Sequence, residues 1–240
     1  MADELKGKVI VLTGASGGLG SSAATKLAAA GACLALVDRS PERLAQLIQD
    51  LGGDTECYKG FPADLSDPQE VENLVNHVVD QFTQIDGLVH TVGGFAAGSA
   101  VHESDLSVFD KMMALNARVM YLVSGRIARQ MVETATPGSL TFVLARSALK
   151  GAKGQAAYTA SKAAALRIME SMALELRDNN IRVNGISPSI IDTPANRDAM
   201  PNADFSKWVT PEQIGDLMVF LASDAATAIT GANIEVNNRV

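Results

Sequence analysis

Tyr158 and Lys162 stand four positions apart in the segment YTASK, a spacing that puts both side chains on one face if the segment is helical. An ammonium beside a phenol favours the phenolate and should lower its pKa from about 10 toward the range where proton transfer is useful. Such a pair can give or take the proton that accompanies hydride transfer. Taken alone, the pair is also what a solvated helix face would show. A second group lies far upstream, in TGASGGLG at residues 13–20. Gly14, Gly18 and Gly20, with Ser16, Gly17 and Leu19 between them, permit a tight turn and a close backbone approach. The helix that follows offers free N–H groups and a positive dipole end to a pyrophosphate. Asp38 ends the next apolar run, 18 residues past Gly20, close to the roughly 20 at which a carboxylate grips the adenosine ribose. A carboxylate there accepts from both ribose hydroxyls and repels a 2′-phosphate, so NAD(H) is favoured over NADP(H). Arg39 could pair with that phosphate if Asp38 turned away. The plainer alternatives are an ordinary glycine-rich turn and an Asp38-Arg39-Ser40 helix start, of which the second is compatible with the ribose role.

Residues 13–20, 38 and 158–162 must be brought to one edge of a scaffold. Apolar strand-like runs alternate with helical ones: KVIVLTG, then 18–30; CLALVD, then 40–51; TECYKGFPAD, then 67–81. The series continues with GLVHTV, then 105–131; SLTFVL, then 156–178; IRVNGIS, then 211–223; and finally NIEV. This repetition implies right-handed crossovers and a doubly wound α/β fold, a mostly parallel sheet with helices on both faces. Ligands of open parallel sheets bind at the carboxyl ends of the strands, which is where the glycine turn and the Tyr158 segment both fall. Ser40-Pro41 and Asp67-Pro68-Gln69-Glu70 read as helix starts, the second with Glu70 completing a capping box. With no repeat, low-complexity tract or linker, residues 1–240 read as a single dinucleotide-binding domain. The stretch 187–210, with Pro188, Pro194 and Pro201, lacks clear periodicity and reads as a substrate lid.

Composition excludes several classes. Twenty-seven acidic against twenty basic residues give a net charge of −7 with no Lys/Arg-rich run, so the electrostatic footprint of a nucleic-acid binder is missing. Cys33 and Cys57 each lie in an apolar or strand-like run and read as two buried thiols in a reducing compartment. The N-terminal MADELKGK has no signal-peptide core, and no apolar run is long enough to span a membrane, so a soluble cytoplasmic protein is expected. No cluster with metal-ligand spacing surrounds His77, His90 or His102, and no metal is assigned.

The whole chain resembles the short-chain dehydrogenase/reductase family. TGASGGLG is similar to that family's TGxxxGxG turn, Asp64 to its adenine-contacting Asp, Asn116 in ALNARV to its helix asparagine, Tyr158 and Lys162 to its YxxxK, and Pro188 with Thr193 to most of its PGxxxT segment. The resemblance implies a Rossmann-type seven-stranded sheet and a homotetramer or homodimer. It makes Tyr158 the acid/base, has Lys162 hold the nicotinamide ribose and tune the phenol, and has Asn116 support a proton-relay water. Leu65, Gly93 and Ile191 join the cofactor wall on the same ground.

The departures from the pattern bear on the substrate. The family's serine lies 13 positions before the tyrosine, where this chain has Ala145. Ser147 is the nearest substitute and would be out of reach along an extended segment, at about 6.6 Å, unless the loop folds. Losing a donor of this kind commonly costs roughly 100- to 1,000-fold in turnover. The family's NNAG reads His90-Thr91-Val92-Gly93, its PG reads Pro188-Ser189, and NIEVNNRV lacks the usual glycine pair. The segments 92–98 and 192–208 resemble the dihydropteridine reductase branch, whose members also carry alanine at the serine position. A quinonoid dihydropterin is an already polarised, conjugated acceptor, so the missing hydroxyl becomes a substrate clue. A general ketone/alcohol oxidoreductase of the 3-oxoacyl-reductase kind and a non-catalytic NAD-binding module are the alternatives. Phe205 and Trp208, and likewise Phe95, could stack on a flat ring or simply pack against their neighbours, and Met112, Met113, Met120 and Met131 read as core or subunit contact.

Overall fold

The run VIVLT is apolar up to its closing threonine, and as β1 (Val9–Thr13) it is buried at every position, as a strand covered on both faces must be. Its side chains alternate between two cores, Val11 joining one and Ile10 and Leu12 the other. In the computed structural model, which describes residues 3–240, β1 is a central strand of a seven-stranded sheet. The other strands are Cys33–Asp38 (β2), Tyr58–Pro62 (β3), Gly87–His90 (β4), Gly138–Val143 (β5), Ile181–Pro188 (β6) and Asn233–Val236 (β7). Their order is β3-β2-β1-β4-β5-β6-β7, and every pairing is parallel. The strand order reverses between β1 and β4, and a crevice opens at that point beyond the carboxyl ends.

The helices are α1 (Gly18–Ala29), α2 (Pro41–Asp50), α3 (Pro68–Phe82), α4 (Leu106–Met113), α5 (Val119–Glu133), α6 (Ala156–Glu175), α7 (Pro194–Ala199) and α8 (Pro211–Ala222). Leu27 of α1, Leu44 of α2 and Met218 of α8 pack on the face that carries Ile10 and Leu12. Leu74 of α3, Ile127 of α5 and Met169 of α6 pack on the face that carries Val11. Met112, Met120 and Met131 are buried, and Met113 is half-buried. None of the described helices is long and apolar enough to cross a membrane.

Three local readings differ from the sequence-based expectation. Asp67 caps α3 by accepting from the Gln69 and Glu70 amides at 2.7 and 3.3 Å, but Glu70 does not complete the box. Its carboxylate takes the Asp64 amide at 2.6 Å and ties the helix to the loop after β3. A capping box forms instead at Thr210 and Gln213, ahead of α8. The single helix expected over 105–131 is interrupted by a π-helical turn, Ala114–Arg118, a feature that marks functional positions in many helices. Finally, Cys33 and Cys57 are not buried thiols: they form a disulfide with Cα atoms 4.5 Å apart, and both are half-buried. The parallel register that pairs Leu34 with Tyr58 brings the two preceding residues side by side, inside the range a disulfide needs. The inference of a reducing compartment loses its basis with them.

Candidate active site

The turn after β1 folds tightly on itself. Gly14 has φ +70°, its carbonyl accepts the Gly17 amide at 3.1 Å, and a Cβ at Gly20 would come within 2.0 Å of the same oxygen. The chain then enters α1, whose first amides have no side-chain cap and are open to an anion. Beside it lies a cavity of about 540 Å³. Gly14, Gly17, Gly18, Leu19 and Gly20 form one wall, Asp38 and Arg39 a second, Asp64 and Leu65 a third, and Gly93 also lines it. Ser16 lies just outside, its hydroxyl buried without a partner.

Asp38 is positioned by backbone donors. One carboxylate oxygen accepts the Ser16 amide at 3.2 Å and the other the Arg39 amide at 2.7 Å. Burial pushes its pKa up, but hydrogen bonds from Ser16 and Arg39 and the charge of Arg43 outweigh this and hold it below the ordinary carboxylate value. Asp64 accepts from the amide and hydroxyl of Ser66 at 2.9 and 2.7 Å, which lowers its pKa too. Size, anion-ready amides and the anchored carboxylate fit an adenosine diphosphate half-dinucleotide.

At the other end of the cavity the packing is close. A Cβ on Gly93 would stand 2.9 Å from Asn116 Oδ1 and 3.2 Å from Lys162 Nζ, so only hydrogen fits between them. Asn116 sits in the π turn and is buried, with both of its amide N–H groups used. Oδ1 accepts the Gly94 amide at 2.8 Å, while Nδ2 donates to the Gly94 carbonyl at 3.0 Å and to Ser161 Oγ at 2.9 Å. The side chain locks the loop after β4 onto α6 and has no N–H left for a relay water. Lys162 Nζ donates to the Val143 carbonyl at 3.1 Å. Burial pushes its pKa down to about 8 and pushes the Tyr158 phenol up to about 12. The expected lowering of the phenol is therefore reversed in the protein alone, because desolvation penalises the charged form of each group. His90, at the end of β4, is hydrogen-bonded to Thr13 at 2.8 Å, and burial, with the Lys162 charge behind it, pushes it down to about 3.

Ala145 is buried, and the segment beyond it is not extended. Residues Arg146–Ala148 make a 3-10 turn in which the Ala148 amide donates to the Ala145 carbonyl at 2.9 Å. The segment is therefore folded where the reach estimate took it as extended, and no hydrogen bond joins the Ser147 hydroxyl to Tyr158 or Lys162. Pro188 ends β6, and Ile191 bridges to Val209 at the base of the expected lid. Thr193 caps α7, and its methyl group lies 3.4 Å from where a Gly18 Cβ would be. Trp208 is buried against Phe205, the packing alternative of the two the sequence left open. Among the described residues no group of three or more His, Cys, Asp or Glu side chains is arranged to hold a metal.

Sequence comparison supplies the family. The short chain dehydrogenase profile matches residues 8–204. The chain belongs to the short-chain dehydrogenase/reductase family. Its relatives include D-threitol dehydrogenase of Mycolicibacterium smegmatis, 32% identical over 97% of this chain and 92% of that one. The (+)-cis,trans-nepetalactol synthase of Nepeta racemosa is 31% identical over 98% of this chain and 91% of its own. A solved short-chain type dehydrogenase/reductase from Mycobacterium ulcerans superposes with a TM-score of 0.91 at 27% identity, covering 99% and 90% of the two chains. As a short-chain dehydrogenase/reductase the protein is an oxidoreductase of a family that binds NAD(P). One cavity-lining residue and one aromatic contact of Tyr158 escaped the sequence reading. Arg43 lines the adenosine end and donates to the Ser16 carbonyl, its place being set by Ser40 capping α2 three residues earlier. Phe95 is 63% exposed, and its ring lies 4.8 Å from that of Tyr158 at an interplanar angle of 80°. The glycine-rich loop Gly93-Gly94 just before Phe95 was the available signal.

Proposed function

We propose that this chain is an NAD(H)-dependent reductase in which Tyr158 is the proton donor. The observation that carries the proposal is the pair of half-buried Tyr158 and buried Lys162 on α6, with Lys162 Nζ standing at Gly93, the end of the dinucleotide-sized cavity. The 13–20 turn would hold the pyrophosphate, Asp38 the ribose, Asp64 and Leu65 the adenine, and Gly93, Lys162, Pro188, Ile191 and Thr193 the nicotinamide half. When bound, the nicotinamide carries the hydride. Tyr158, its phenol pushed up to about 12, is held protonated at neutral pH and passes its Oη proton to the substrate atom that gains charge. Lys162 draws the phenol back down as that proton leaves, and Asn116 fixes the loop that carries Gly93 and Phe95. Asp38 favours NAD(H), while Arg39 and Arg43 on the same cavity make NADP(H) the competing cofactor.

A flat, conjugated acceptor of the quinonoid dihydropterin kind suits the substrate side. Ala145 brings no hydroxyl to hold a ketone oxygen, and Phe95 offers exposed aromatic surface next to Tyr158. The protein would act as a homodimer or homotetramer, which would cover the exposed Leu106, Phe109 and Tyr121. The test is NADH consumption with quinonoid dihydropterin and with a panel of small ketones, for the wild type and Ala145→Ser. The pterin should turn over in the wild type. The new hydroxyl should raise kcat/KM on ketones by roughly 100-fold, the usual worth of such a donor. Ketone turnover unchanged by Ala145→Ser would instead favour Ser147 as the donor and a general carbonyl reductase.

A further inference from the structure

The segment after β7, which lacks the family's glycine pair, has no part in the proposed chemistry, yet it is bonded to the expected lid, to the end of β6 and to the residue after Ala145. Asn238 has φ +49°, a left-handed conformation that asparagine tolerates, and its Nδ2 donates to the Trp208 carbonyl at 2.7 Å. The Arg239 amide donates to the Lys207 carbonyl at 3.3 Å and its guanidinium to the Ser206 carbonyl at 2.8 Å. Three successive carbonyls of the lid's return limb, 206–208, thus each accept from this short strap. The strap is itself held at both ends. Ser189, just after β6, donates from its hydroxyl to the Asn237 carbonyl and from its amide to the Val236 carbonyl, both at 2.9 Å. Arg146, the residue directly after Ala145, donates to the Val240 carbonyl at 2.8 Å.

The rest of the lid is braced mainly against itself. Asp192 pairs with Arg197, whose guanidinium lies 4.9 Å over the Phe205 ring, and Phe205 packs on Trp208 with ring centroids 4.8 Å apart. Trp208 ends this chain of contacts at 3% exposure. Its backbone carbonyl is the one that Asn238 holds.

We infer that Asn238 and Arg239 are positioning residues whose side chains fasten the return limb of the substrate lid, residues 206–208, and so set how tightly substrate is held, while the cofactor-side limb from Pro188 to Thr193 keeps its own contacts. The inference rests on residues 187–210 being the lid of the proposed reductase. Trp208 is the sole tryptophan, so its fluorescence reports the lid without any turnover. The variant is Asn238→Gly combined with Arg239→Ala; glycine keeps the left-handed backbone and removes only the side-chain donor. Acrylamide quenching of Trp208 should rise about twofold or more with a red shift in emission, and NADH affinity should stay within about twofold. KM for a turned-over acceptor should rise roughly tenfold at unchanged kcat, the worth of two such hydrogen bonds. Unchanged quenching overturns the inference. So does a rise in quenching accompanied by an equal loss of NADH affinity, which would make the strap part of the general scaffold. If the wild type reduces no acceptor, the reductase reading fails while the quenching result still decides whether the strap fastens this segment.

Discussion

Replacing Lys162 with methionine should erase a rise in stability that the cofactor-free wild type shows between pH 8 and 10. The Lys162 side chain is buried, with Nζ bonded to the Val143 carbonyl, and burial lowers its pKa from the ordinary 10.5 to about 8. Below pH 8 the folded and unfolded chains both hold the proton, and the penalty for burying the charge is constant. Between 8 and 10.5 only the unfolded chain holds it, so stability rises with pH; above 10.5 neither does. Each pH unit inside the window is worth about 1.4 kcal/mol, so two units add roughly 2 kcal/mol once rounding at the lower end is allowed for. Tyr158 has the opposite sign, since a phenol pushed up to about 12 loses stability as pH climbs from 10 to 12, outside the chosen window. Urea unfolding at pH 7, 8, 9 and 10 of both proteins gives the answer, because subtracting the two curves cancels every other titrating group. Equal slopes for wild type and variant would refute the claim that a charged Lys162 pays a desolvation penalty in this fold.

Two further perturbations test the scaffold around the site. Asn116→Leu strands the amide and carbonyl of Gly94 and leaves the Ser161 hydroxyl only its bond to the Tyr158 carbonyl, and should lower unfolding stability by about 2–4 kcal/mol in chemical denaturation; a loss under about 1 kcal/mol would mean the lock is weak. Reducing the Cys33–Cys57 bond, which joins residues 24 apart, should destabilise the protein by roughly 3 kcal/mol. Cys57→Ser should show the same loss and no response to dithiothreitol, and a reductant-insensitive wild type would contradict the bond.

The parallel sheet was legible because its strands are written plainly: VIVLT and CLALVD are too apolar to face water, and each is followed by a helix of the right length. The cavity was legible for the same reason. Gly14, Gly20 and Asp38 reach its walls because they lie at strand ends or in the turn just beyond, and strand ends follow from the runs. What escaped depends on tertiary register or burial. The disulfide needs Leu34 to pair with Tyr58, and a slip of one residue in that pairing would have separated the two sulfurs. Glu70 found the Asp64 amide in place of its own helix start because the loop after β3 brought that amide closer. The direction of the Tyr158 shift could not be read from a four-residue spacing, since burial alone sets it. Phe95 lay in a glycine-rich loop with no periodicity, and only the approach of that loop to α6 brought it to Tyr158.

The most direct test of Tyr158 as proton donor is the rate of NADH oxidation with quinonoid dihydropterin by the wild type and by Tyr158→Phe, with NADH affinity measured on both. The account predicts that kcat falls by roughly 100-fold or more while NADH affinity changes by less than about twofold, because the substitution removes the proton and leaves the cavity intact. Turnover that survives in Tyr158→Phe would contradict the assignment, and a wild type that binds NADH yet reduces neither the pterin nor any ketone would make the chain a dinucleotide-binding module.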